Sequence, residues 1–126
     1  MNSKSHISTP SGDVLKVEVL RDRIGRALGL SYRKKLSVDA ALFVFLKSGK
    51  YFFHMFGMKF PIDIVFLDSK GEVVFMVYNQ TPSTRQFPKP LISSPIPCQY
   101  VIEMPAMSAA KYGLILGSRV RIEKFH

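Results

Sequence analysis

The sequence predicts a mainly β fold, an antiparallel β-sandwich or barrel-like domain with one or two short helices, and three observations point there. Three apolar runs, ALFVFL from Ala41, IDIVFLD from Ile62 and VVFMVY from Val73, are short and rich in Val, Ile and Phe, which suits strands rather than helices. An aromatic run, YFFHMF, lies between the first two, and the connectors KSGK, GMKFP and SKGE are all brief. None of them reaches the roughly dozen residues that a parallel crossover needs, so the four runs are expected to form an antiparallel meander. Strands that are apolar on both faces must be covered on both, by another sheet or barrel wall and by helices or loops.

Each element can be justified in order. Residues 1–12 are polar and lack periodicity, and are expected to form a flexible arm ahead of a single β domain at residues 13–126. VLKVEVL alternates Leu15, Val17 and Val19 with Lys16 and Glu18, as a strand with one wet face does. RDRIGRALGL, with Asp22 near its start and Gly29 near its end, suggests one or two helical turns. Residues 80–97 hold five of the eight prolines. Proline lacks an amide donor, so this stretch cannot be a central strand and is expected to be a loop docked through Phe87, Leu91 and Ile92. The chain closes with strand QYVIEM, a short helix between about Pro105 and Gly113, and strand RVRIEKF.

Composition narrows the functional classes. A length of 126 residues matches one domain of about 100–150 residues, able to bury a core without metal or disulfide staples. No apolar run approaches the roughly 20 residues of a membrane-spanning helix, and MNSKSHISTP lacks the apolar core of a secretory signal, so a cytoplasmic location is expected. Cys98 is the only cysteine and has no intrachain partner. The formal charge of +9 favours attraction to polyanions, but the cations are spread over almost every expected turn and edge, as on a solvated surface. Nucleic acid is therefore a possible partner without being the favoured one, and its expected contacts are Arg26, Arg33 and Lys35.

Five motifs in order resemble one family. Arg26, Gly29, Leu30 and Arg33 follow R-x-x-G-L-x-x-R, and Leu42, Phe43 and Phe45 follow L-F-x-F. Pro61, Asp63, Phe66 and Asp68 fit P-[IL]-D-x-x-F-x-D, residues 100–105 fit Y-V-[IL]-E-x-P, and Gly113, Gly117 and Val120 fit G-x-x-x-G-x-x-V. Together they resemble the domain of unknown function 192 family of small bacterial and archaeal proteins. The resemblance implies a compact, mainly β domain of sandwich or barrel type and implies no activity. The sequence departs from the family pattern at Ser31, usually Met, at His54, often aromatic, at Gly57 and Met58, where many bacterial members carry Asn-Thr, at Met107, usually glycine, and at Ser118, usually Asp.

Candidate site residues are polar groups stranded in apolar surroundings. Asp63 shares a strand face with Val65 and Leu67, so its carboxylate needs donors. It is either a ligand anchor or general base, or a carboxylate satisfied by backbone amides or by Arg26 or Arg33. Asp68, five residues on, lies roughly 17 Å away on the opposite face, too far for a paired-carboxylate glycosidase unless another acid such as Glu103 enters from a neighbouring strand. His54, Met55 and Met58 carry soft-metal donors, but 54 and 55 face opposite ways and 54 to 58 spans about 13 Å unless Gly57 turns tightly. No metal and no cofactor is therefore expected. The signatures of phosphate loops, dinucleotide folds, nucleophile elbows and zinc sites are absent. The leading expectation is a non-enzymatic domain that binds a small molecule or a protein through a pocket near the 53–63 turn, with His54, Asp63, Arg33 and Met58 as candidate ligand contacts. The alternatives are a small enzyme using Asp63 or His54 as acid/base and a basic nucleic-acid-binding module.

Overall fold

Short apolar runs rich in β-branched and aromatic residues set most of the strands in the computed structural model, which describes residues 3–22, 26 and 29–123. The elements are β1 (Ser3–Ser8), β2 (Val14–Leu20), β3 (Ala40–Gly49), β4 (Ile62–Leu67), β5 (Val73–Gln80), β6 (Cys98–Pro105), helix α1 (Ser108–Lys111) and β7 (Arg121–Ile122). They form one seven-stranded sheet in the order β5-β4-β6-β3-β2-β1-β7. Among the described residues no helix is long and apolar enough to cross a membrane.

The mainly β expectation holds, but the sheet is mixed rather than purely antiparallel. Strands β2 and β3 run parallel, from Val17 opposite Ala40 to Leu20 opposite Phe43. The chain between Leu20 and Ala40 is long enough for the crossover that a parallel pair needs. The β4–β5 hairpin forms as expected, whereas β3 pairs with β6 instead of continuing a meander. Among the described residues a single sheet curls into a half-barrel, with no second sheet facing it. At its β5 edge the Val73 amide donates to the Ser118 carbonyl (2.8 Å) and the Gly117 amide to the Val73 carbonyl (2.9 Å), tying that edge to the chain entering β7 at the other.

Three further expectations are corrected. Within the expected flexible arm, Ser3–Ser8 is strand β1, paired with β2 from Ser3 opposite Val19 to Ser8 opposite Val14. Only Ser5 and Ile7 point inward, so the pattern is too sparse in apolar residues to advertise a strand. The aromatic run at residues 51–56 is extended but joins no ladder. It makes isolated bridges at Phe53 with Ile92 and at Phe56 with Ser83, partners supplied by the proline-rich stretch. In that stretch Ile92 is half-buried, but Phe87 and Leu91 are 68% and 63% exposed, so they do not dock it. The helical turns expected at residues 21–30 lie largely outside the described residues.

Both sheet faces are covered. On one, Val17, Val19, Leu42, Val65 and Ile102 pack beneath Ala109 of α1, Leu114 and Val120. On the other, Ala41, Phe43, Ile64, Phe66 and Val101 pack beneath Leu30, Phe53, Met55 and Met58. Phe53 is the centre of this second layer, meeting Phe43 edge-on at 5.1 Å and Phe66 at 5.7 Å. Each Val, Leu, Ile, Phe or Met side chain so buried contributes about 1.5–3 kcal/mol, and each aromatic pair up to about 1.5 kcal/mol more.

Candidate functional site

Strand β6 alternates its side chains between the two layers, which places Glu103 among the aromatic residues. In register it lies between Ala41 of β3 and Ile64 of β4, neither of which offers a polar atom from its side chain. Glu103 is 4% exposed. Among the described residues nothing donates a hydrogen bond to its carboxyl or stands within ion-pair distance of it. Burial alone pushes that carboxyl up to about 8, because removal from water penalises the charged form.

The carboxyl borders a cavity of about 70 Å³. Its inner wall is Phe43, Phe53, Leu30 and Met58, and the exposed residues Phe52 and His54 stand at its rim. Gly29 makes the space. Its φ is +50°, and a Cβ there would lie 3.0 Å from Phe43 Cζ and 3.3 Å from Glu103 Oε1. The wall is pinned by two hydrogen bonds, Ser31 Oγ to the Phe56 carbonyl (2.9 Å) and the Tyr32 amide to the Gly57 carbonyl (2.6 Å). Arg26 also lines the cavity, but its guanidinium donates to the carbonyls of Arg21 and Val44 and lies 5.1 Å over the Phe45 ring.

The four candidate ligand contacts do not converge. His54 and Met58 share the cavity, brought together by the turn at Gly57, and His54 Nδ1 accepts the Phe56 amide at 3.1 Å. Asp63 lies in the other core layer, 1% exposed, where Oδ1 accepts the Asn79 amide (2.9 Å) and Oδ2 the Ala109 amide (3.0 Å). Arg33 forms a two-pronged ion pair with Glu18 and so serves neither Asp63 nor the cavity. Of the cations named for nucleic acid, Arg26 lines the cavity, Arg33 is paired and Lys35 lines a separate open groove beside Phe60 and Pro61. Glu103 enters the sequence reading only as a possible second acid from a neighbouring strand and is not placed there among the ligand contacts. Its signal was an acid in the apolar strand YVIEMP, the same anomaly that drew attention to Asp63.

The profile of the domain of unknown function 192 family, described as an uncharacterized ACR, matches residues 6–122. The chain belongs to this family. No curated protein matches it. Among solved structures, this member of the domain of unknown function 192 family is similar to a protein of Sinorhizobium meliloti 1021 provisionally called a transcription regulator. The two are 26% identical, with a TM-score of 0.81 over 97% of this chain and 94% of that one. It also shares its fold with a protein of unknown function from Novosphingobium aromaticivorans DSM 12444, at 24% identity and a TM-score of 0.80, over 95% of this chain and 84% of that one.

Proposed function

We propose that this protein is a small non-enzymatic ligand-binding domain whose site is the Glu103 cavity. One observation supports the reading above the others: a nearly fully buried carboxyl faces open space with no hydrogen-bond partner among the described residues. Among the described residues no side-chain oxygen is both fully buried and unsatisfied, so the Glu103 carboxyl meets solvent through the cavity, and a carboxyl that takes no donor from those residues there is open to a donor from outside. Asp63, by contrast, is satisfied on both oxygens by backbone amides and is a pin of the fold. A panel of small fragments, read by the amide chemical shifts of Gly29, Ser31, Phe53 and His54, tests the reading. Saturable shifts confined to those amides are expected, and a panel that leaves all of them unmoved overturns it.

A second reading is favoured by the presence of His54 and Glu103 in the same cavity. A carboxyl held protonated near neutral pH beside an imidazole is a usable acid/base arrangement. It differs from the first in requiring that a bound fragment be chemically changed, which prolonged incubation followed by mass spectrometry would detect.

A further inference from the structure

Resting on the ligand-binding reading above, we propose that the Glu103 cavity takes the head of a small organic cation, a primary ammonium or guanidinium group, with the rest of the ligand lying outward across Phe52. The carboxyl at the cavity wall can be satisfied only by a donor, and when ionised it calls for a positive one. Phe43 and Phe53 line the same space and Phe52 its rim, and aromatic faces attract cations and disfavour anions. Among the described residues, the candidate for that charge is engaged elsewhere. Arg26 donates to the Arg21 and Val44 carbonyls and stacks on Phe45, and no ion pair joins it to Glu103.

Size restricts the class. A cavity of about 70 Å³ is well below the roughly 300–1,000 Å³ of pockets that enclose a whole small ligand. That space suits a head group, with the body of the ligand outside the rim.

The proton is the competing cation. Among the described residues, the ionisable groups lining the cavity besides Glu103 are Arg26 and His54, and the flanking strands present Ala41, Phe43 and Ile64. Since burial holds the Glu103 carboxyl up at about 8, binding below that pH converts carboxylic acid and ammonium into a carboxylate–ammonium pair and releases one proton to solvent.

The test titrates n-butylammonium, with butan-1-ol and butyrate as the neutral and anionic counterparts, while following the amide shifts of Gly29, Ser31, Phe53 and His54. Butylammonium is expected to saturate the shifts and the other two to fail. Its affinity should rise nearly tenfold between pH 6.5 and 7.5 and level off above about pH 8. Glu103→Gln should lower that affinity more than tenfold while its amide spectrum shows the sheet intact, and the wild-type pH series does not depend on that variant. If butan-1-ol binds as tightly as butylammonium, or the Gln variant binds it unchanged, the cation proposal falls while the ligand-binding reading stands. If none of the three probes moves these amides, the cation proposal also falls, and the fragment panel then decides the broader reading separately.

Discussion

Asp63 and Glu103 sit on adjacent, hydrogen-bonded strands, one residue out of step, and leave the sheet on opposite faces: Asp63 is paired with Met104, Glu103 with Ile64. The two buried acids of β4 and β6 therefore never meet, and the two-carboxylate chemistry that a neighbouring strand might have completed is closed to them. Their surroundings differ as much as their directions. Asp63 holds two amides, whereas Glu103 faces a cavity with no described donor.

Glu103 makes the protein lose stability as pH rises. Its carboxyl titrates near 4.5 when unfolded and near 8 when folded, so between those values the folded state holds a proton that the unfolded state has released. Stability from this group thus declines from about pH 4.5 to about pH 8 and is flat above, with a total on the order of 5 kcal/mol. Glu103→Gln is expected to abolish most of that decline. Urea unfolding at pH 5, 7 and 9 measures it, and an equally steep decline in the variant would contradict the assignment.

Asp63→Asn should cost about 2–4 kcal/mol, because the amide replaces one of two acceptors with a donor aimed at a backbone N–H. Hydrogen exchange at Asn79 and Ala109 should accelerate more than elsewhere, and fragment binding to the folded variant should be unaffected.

Met107→Gly should stabilise the protein. Met107 adopts φ 79°, makes no side-chain capping bond and is 74% exposed, so its side chain bears left-handed strain with little packing in return. Relief of about 1–2 kcal/mol, partly offset by the greater freedom of glycine in the unfolded chain, leaves a net gain of roughly 0.5–1 kcal/mol. Calorimetry should find the melting temperature raised by roughly 2–5 °C.

Gly71→Ala should cost about 2–4 kcal/mol. Gly71 has φ +86°, and a Cβ there would stand 2.3 Å from the Val120 carbonyl oxygen, in the segment that ties β5 to the chain entering β7. Faster amide exchange at Val73 and Val120 would report the loosened seam, and unchanged exchange there would count against it.

What was legible in the sequence was local. The runs that became β3, β4 and β5 announced themselves by β-branched and aromatic residues, β2 by strict alternation, and the α1 region by Pro105 and Gly113. What stayed hidden depended on pairing at a distance. β1 is mostly polar and exists because β2 and β7 flank it, and the 51–56 run alternates as a strand would yet finds only isolated bridges. The site followed the same rule. Polar residues inside apolar strands were the right signal, but it could not tell Asp63, for which distant backbone supplies amides, from Glu103, for which none is supplied among the described residues.

The seam between the two ends of the sheet also sets an order of events. Ile7 pairs with Ile122, and Gly71 and Val73 wait for residues 117–120. During synthesis, neither β1 nor β5 can gain these neighbours until the stretch around Ile122 has left the ribosome, so both sheet margins stay open until then. Long-range pairing of this kind is slow, and the open margins are where unfinished chains would stick to one another.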